Sequence, residues 1–281
     1  MSIKTILVHL GSEQHAADLL GVAAGIAEAS TAHLICLHVV PDAFTPSTVP
    51  PEVMGELIEA QRQANEAMAV KVEAIYRQMS AGLRVPNEWR KAEARFETIA
   101  DVVIRHGRTA DLLVLGQSDD KLDFLSGIGT PEEVMLKVGR PVLMVPVKGK
   151  DGPVGRRILI AWKDSREAVR AVFDALPFLI DADSVHILTV RHESRPDLSK
   201  ASVPAADIAA TLAHHDVHCE IIEVTGQDKS VGDEILKQVK DCGCDMVVMG
   251  GYGHSRLREI MLGGATRKLL DAMTVPVLMS H

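Results

Sequence analysis

The chain carries one pattern twice. In its first half, Ala110-Asp111-Leu112-Leu113-Val114-Leu115-Gly116 leads to Gly129-Thr130 and then to Arg140-Pro141-Val142-Leu143-Met144-Val145. In its second, Cys244-Asp245-Met246-Val247-Val248-Met249-Gly250 leads to Gly263-Gly264 and then to Val275-Pro276-Val277-Leu278-Met279-Ser280. The offset is 134 residues at Asp111/Asp245, Gly116/Gly250 and Gly129/Gly263, and 135 at Pro141/Pro276. A duplication of this kind confines the chain to two copies of one fold. The copies part company after the shared glycine. The second continues Gly250-Gly251-Tyr252-Gly253, which lets a backbone wrap closely round a guest, and the first continues Gly116-Gln117-Ser118-Asp119.

Length agrees with the repeat, since 281 residues exceed one ordinary core and suit two domains of roughly 140 residues each. Aromatics make up 3% of the chain, so the cores must be built from Val, Ile, Leu, Ala and Met. A formal charge of -8 argues against nucleic acid as a partner, because that role needs basic surface to replace phosphate counterions. No apolar run approaches the roughly 20 residues that span a bilayer, and Met1-Ser2-Ile3-Lys4 leads into a strand pattern without the layout of a signal peptide. Four cysteines, one of them alone in the first half, do not make a disulfide framework. A cytoplasmic protein without membrane contact is the expectation. Cys242-Gly243-Cys244 fits neither zinc-knuckle nor thioredoxin-type spacing and is expected to be packing.

Short β-branched or Leu-rich runs alternate with longer helical patterns, as strand-helix-strand units of a parallel sheet require. Strands are expected in the first half at Thr5 to His9, His33 to Val40, Asn87 to Ala92, Leu112 to Leu115 and Val142 to Val145. In the second they are expected at Arg157 to Ala161, Ser184 to Val190, His218 to Val224, Met246 to Met249 and Val275 to Met279. Five strands per half result. Runs such as Ile6-Leu7-Val8 and Ile158-Leu159-Ile160 are apolar without alternation, the mark of a sheet covered on both faces. Ser12 is placed to cap a helix reaching Ala29, and Asp164 or Ser165 one reaching Leu179. Glu52 to Ser80 reads as one long helix, continuous or broken. The polar, turn-rich stretch Lys148-Gly149-Lys150-Asp151-Gly152-Pro153 separates domains at residues 1–147 and 154–281.

A parallel sheet receives ligands beyond the carboxyl ends of its strands, near the point where chain order reverses. Gly250 to Gly253 leaves such an end, and Gly263-Gly264-Ala265-Thr266 opens the last helix pattern. The free amides and positive dipole end of that helix would then face the loop. This suits phosphates. Glycine is expected there because a Cβ would block close backbone approach. Gly251-Tyr252-Gly253-His254-Ser255-Arg256 lacks the third glycine of a dinucleotide fingerprint, and no stretch reads as a P-loop. Gly116-Gln117-Ser118-Asp119-Asp120 lacks the second glycine of a nucleophile elbow.

These residues resemble the universal stress protein family in its tandem form. The resemblance rests on Gly250-x-x-Gly253, nine residues, then Gly263-Gly264, after an apolar strand with Asp245 before it and ahead of Val275-Pro276-Val277. It covers both halves almost end to end. It implies an α/β protein of two tandem domains, each a five-stranded parallel sheet sandwiched by helices. It further implies a phosphate loop of Gly250, Gly253, Gly263 and Gly264, flanked by His254, Ala265 and Thr266. Backbone near Val190 would meet the adenine, and Ala161 and Lys163 would lie at the end of the half's first strand. The guest implied is ATP, with or without Mg2+. The family pattern places an Asp after the first strand, where this chain has Lys163 in one half and Leu10 in the other, and a Ser/Thr where this chain has Gly264.

Charge separates the two loops as well. From Gly250 to Lys268, Arg256, Arg258, Arg267 and Lys268 stand against Glu259, a net of +3. From Gly116 to Val134, Lys121 stands against Asp119, Asp120, Asp123, Glu132 and Glu133, a net of -4. One unit charge about 4 Å from a phosphate is worth roughly 1 to 4 kcal/mol between bulk water and a partly screened surface. The first half is therefore expected to be empty. His214 and His218 are spaced like paired zinc ligands, but the pattern leaves the helix near Val217, so no metal is expected. His9 and His38 read as buried neutral histidines. With no nucleophile, base and oxyanion set in view, a binder or switch with at most slow ATP hydrolysis is expected. Its partners would be an adenine nucleotide and unidentified protein clients. The family's habit of joining domains through last strands implies an internal pseudo-dimer, alone or within a homodimer. A nucleotide-free interaction module of the same fold is the alternative.

Overall fold

The structure is a computed structural model and describes residues 2–43, 50–117, 131–147, 152–192, 204–226, 230–251 and 264–281. The chain divides into two compact units, residues 3–140 and 141–281.

The first unit runs β1 (Thr5–His9), α1 (Glu13–Ser30), β2 (His33–Pro41), α2 (Pro51–Ser80), β3 (Asn87–Ala94), α3 (Ile99–Gly107), β4 (Leu112–Gly116) and α4 (Pro131–Val138). Its strands lie in the order β3-β2-β1-β4, all parallel, with Thr5 opposite His33 and Ile6 opposite Leu112. Ile6, Leu7 and Val8 are wholly buried, as their unbroken apolar run requires of a sheet covered on both sides. Ser12 does precede α1 in extended conformation, although its side chain makes no capping bond. Thr98 and Asp101 form a reciprocal capping box at α3. The long helix read from Glu52 is continuous from Pro51 to Ser80, opened by a proline in its first turn, where the missing N–H costs nothing.

The second unit holds β5 (Val142–Val145), β6 (Arg157–Ala161), α5 (Arg166–Asp174), α6 (Leu176–Ile180), β7 (Ser184–His192), α7 (Ala205–Ala213), β8 (Cys219–Gly226), α8 (Val231–Asp241), β9 (Met246–Gly250), α9 (Gly264–Ala272) and β10 (Val277–Ser280). The strand order is β5-β10-β9-β6-β7-β8. The strands from β6 to β10 pair in parallel, whereas β5 runs antiparallel to β10, with Val277 opposite Met144 and Met279 opposite Val142. The single helix expected up to Leu179 is interrupted. Pro177 opens a separate turn, α6, because a proline inside α5 would clash with the carbonyl four residues back. Ser165 caps α5 by accepting from the Ala168 amide at 3.2 Å.

The duplicated aspartates serve the fold. Asp245 Oδ1 accepts from the amides of Gly155 at 2.8 Å, Arg156 at 3.0 Å and Arg157 at 3.2 Å. Asp111 Oδ2 accepts from Lys4 at 2.9 Å and Thr5 at 3.0 Å. Each carboxylate thus staples the start of one central strand to the start of its neighbour. Among the described residues, no helix is long and apolar enough to cross a membrane.

Candidate nucleotide site

In the second unit the chain proceeds from β6 through β7 to β8 in one direction and from β9 to β10 in the other. The reversal lies between β6 and β9, which pair with Ala161 opposite Met249, and their carboxyl ends frame the crevice where such sheets take ligands. Because β9 and β10 are parallel, α9 runs back between them and begins at the carboxyl end of β9. The first-turn amides of α9, from Gly264, Ala265 and Thr266, have no partner inside the helix. Thr266 is buried.

Five of the residues singled out from the sequence are described with their side chains, and all belong to this end of the sheet. Ala161 closes β6, half-buried. The Trp162 amide still donates to the Leu188 carbonyl at 2.9 Å, and Lys163 follows, exposed. Val190 stands half-buried on β7, two residues beyond Leu188, the partner of Ala161. Gly250 ends β9 and Thr266 lies in the first turn of α9. Gly264 and Ala265 belong to α9 by their backbone. Gly253, His254 and Gly263 lie outside the described residues, as do Arg256 and Arg258.

Gly250 has a reason of its own to be glycine. A Cβ there would fall 2.4 Å from the Ala168 nitrogen and 2.6 Å from the Glu167 carbonyl carbon, so the first turn of α5 can seat against β9 only if this position is bare. Its counterpart Gly116 has nothing nearer than a Leu19 methyl at 3.4 Å, an ordinary contact. Close approach does occur at Gly250, and the approaching backbone is the protein's own. The Gly251 amide donates to the Ser280 carbonyl at 2.9 Å, and Ser280 Oγ donates to Asp174 Oδ2 at 2.9 Å. The sequence argument missed this tie because Ser280 and Asp174 are 106 residues apart.

Two of the basic residues counted near the loop are engaged elsewhere. Lys268 donates to Asp233 on α8, and Arg267 pairs with Asp271 one turn on at 3.8 Å. The excess positive charge at the crevice is therefore smaller than the tally of residues implied.

In the first unit, register places His9 where the second has Ala161. Each is the last residue of its central strand, opposite Leu37 and Leu188 respectively. Burial, reinforced by His38, pushes the His9 imidazole down to about 4, and its ring sits over Gly11, whose Cβ would come within 3.2 Å of His9 Cε1. His38 is buried, with Nδ1 at 2.6 Å from the Leu10 carbonyl. A carbonyl can only accept, so Nδ1 carries the proton and Nε2 is left as a lone pair. Neither His9 Nε2 nor His38 Nε2 has a hydrogen-bond partner among the described residues. His38 stacks on Trp89 at 6.1 Å and Trp89 on Tyr76 at 5.3 Å.

Other sequence candidates disperse. Helix α7 ends at Ala213, so His214 and His218 share no helical face, and His215 meets Phe173 edge-on at 6.4 Å. Among the described residues no group of three or more His, Cys, Asp or Glu could hold a metal ion. All four cysteines are free. Burial pushes the thiols of Cys36 and Cys244 up to about 12 and that of Cys219 to about 11, so these three are poor nucleophiles.

Comparison with known proteins agrees with this architecture. The universal stress protein family model matches residues 2–146 and again 155–281. Universal stress protein Slr1230 of Synechocystis is 24% identical over 171 residues, 60% of this chain, which spans only 57% of that relative's length. Universal stress protein YxiE of Bacillus subtilis is 31% identical over 113 residues, 40% of this chain and 72% of its own. The crystal structure of a universal stress protein from Archaeoglobus fulgidus superposes with a TM-score of 0.67 at 16% identity, covering 99% of this chain and 96% of that one, a likeness of fold. With the family pattern matched once in each half, the chain belongs to the universal stress protein family, as a tandem member.

Proposed function

We propose that the C-terminal half binds an adenine nucleotide, ATP with or without Mg2+, as a switch in a cytoplasmic stress response, and that the N-terminal half is its unliganded partner. The observation that carries this reading is the difference between the two halves at the same end of the same fold. In the second, Ala161, Val190, Gly250 and the first turn of α9 border the reversal point. In the first, the His9 imidazole stands where Ala161 has only a methyl group. A helix start with free amides attracts phosphates, and half-buried Ala161 and Val190 offer apolar surface for a base. The role is binding, with ATP hydrolysed slowly at most. The antiparallel pairing of β5 with β10 supports an internal pseudo-dimer of the repeats 1–147 and 154–281. Titration of the full chain with a fluorescent ATP analogue is expected to saturate, and Gly253→Asp, which sets a carboxylate in the loop, to abolish saturation. Unchanged binding in that variant would refute the assignment.

A nucleotide-free interaction module is the second reading. It is favoured by Gly250, whose bareness the seat of α5 already explains. Mass spectrometry of gently purified protein separates the two, since a co-purified adenine nucleotide contradicts the module.

A further inference from the structure

Two histidines of the first unit are placed near the carboxyl ends of β1 and β2. His9 Nε2 and His38 Nε2 are both shut off from solvent without a hydrogen-bond partner among the described residues, and buried polar atoms in that state are exceptions in folded proteins. His38 is the better defined. Its Nδ1–H is held by the Leu10 carbonyl at 2.6 Å and its ring stacks on Trp89 within 9° of parallel, so Nε2 is the one place left for a second proton. A proton there creates a donor with no acceptor and a charge cut off from water. Lys91 on β3 opposes that charge and Glu66 on α2 favours it, but the two are already paired with each other. His38 in turn bears on His9. Cys36 and Tyr76 are uncharged throughout the acid range, and α1 and α3 bury apolar residues, Leu20 and Val103 among them.

The second unit replaces both. Register sets Ala161 opposite Leu188 as it sets His9 opposite Leu37, so the next residue, His38, has its counterpart in Thr189. Neither Ala161 nor Thr189 takes a proton. His186, a buried histidine of the second unit, has Glu220 Oε2 3.2 Å from its Nδ1, a carboxylate that can accept once the ring is charged.

We propose that His9 and His38 form an acid-operated latch, present in the N-terminal half alone, that holds the carboxyl end of β1 to β2 while both rings are neutral and releases it when they are charged. In the closed form the Leu10 amide donates to the Leu37 carbonyl at 2.8 Å and the Leu10 carbonyl accepts from His38, so one residue ties the strands twice. Charging His38 drives its ring off Trp89 toward water and breaks the second tie. The sign follows from burial. Both imidazoles are lowered in the closed form, His9 to about 4, and an opened end restores them to about 6.5. The closed form is therefore fully favoured above pH 6.5 and loses ground as pH falls from 6.5 toward 4. Two protons taken up on opening raise the open population by up to about a hundredfold per pH unit, and one proton by up to about tenfold. The N-terminal half thereby senses acidification without a ligand.

The test is amide hydrogen exchange of the full chain, followed by NMR at pH 7.5, 6.5, 5.5 and 4.5 and corrected for the intrinsic pH dependence of exchange. It compares the Leu10 amide with its counterpart at Trp162, which donates to the Leu188 carbonyl at 2.9 Å. Protection at Leu10 is expected to hold down to pH 6.5 and then to fall by roughly ten- to a hundredfold for each further unit, ahead of Trp162. His9→Gln and His38→Asn, which keeps an N–H near the place of Nδ1, should each lower that slope, and the two together should flatten it. If a variant fails to fold, the imidazole C–H resonances of the unsubstituted chain decide, since those of His9 and His38 must keep their neutral positions from pH 8 to 6 while Leu10 is protected. Leu10 protection that ignores pH, falls in step with Trp162 or keeps its slope in the double variant overturns the proposal. So does either ring titrating at pH 6.5 or above with Leu10 still protected.

Discussion

His9 is where the two repeats differ most in consequence. Its imidazole is held neutral by burial, down to about 4, against about 6.5 in an unfolded chain. The unfolded state therefore binds the extra proton first. The stability that His9 contributes is fully present above pH 6.5 and is lost as pH falls from 6.5 to 4, by up to about 3 kcal/mol. Burial lowers His38 as well, so it adds to the loss in the same direction. Urea unfolding at pH 7.5, 6 and 4.5 should show this decline, and His9→Gln should flatten it. A second prediction at this scale concerns the staples. Asp245→Ala leaves three amides without their acceptor and should cost roughly 2 to 4 kcal/mol. Asp111→Ala strands two amides and should cost less, as denaturation midpoints would record. The duplicated aspartates were visible in the sequence. Their role was not, because the amides they hold are more than 85 residues away.

At the scale of elements, the strands were legible because a sheet covered on both faces demands unbroken apolar runs, and Ile158-Leu159-Ile160 and Val247-Val248 supply them. Helix ends were less so. The apolar spacing of Leu176, Phe178 and Leu179 continues the pattern of α5, and only the steric demand of Pro177 separates α6. The antiparallel direction of β5 against β10 could not be read at all, since strand composition carries no sign of direction. The contact of α5 with β9 yields a prediction proper to this scale. Gly250→Ala forces a Cβ into the backbone at Glu167 and Ala168 and should destabilise by about 1 to 3 kcal/mol, seen as a lower urea midpoint. Gly116→Ala, with only a Leu19 methyl in reach, should be nearly neutral.

For the whole molecule, duplication followed by divergence is the organising fact. Both copies keep the strand order and the stapling aspartate, and the second alone pairs a bare crevice wall at Ala161 with an exposed cation at Lys163. The sequence points to a difference between the halves through glycines and charges that lie mostly outside the described residues. It overstated the charge, because Arg267 and Lys268 are matched by Asp271 and Asp233, partners that a linear count does not pair. It understated the part of His9, whose equivalence to Ala161 follows from strand register. The most direct test of one occupied half is stoichiometry. Native mass spectrometry of the full chain with excess ATP should find one nucleotide per chain, still one in His9→Gln and none in Gly253→Asp. Two nucleotides per chain, or one that persists in Gly253→Asp, would contradict the account.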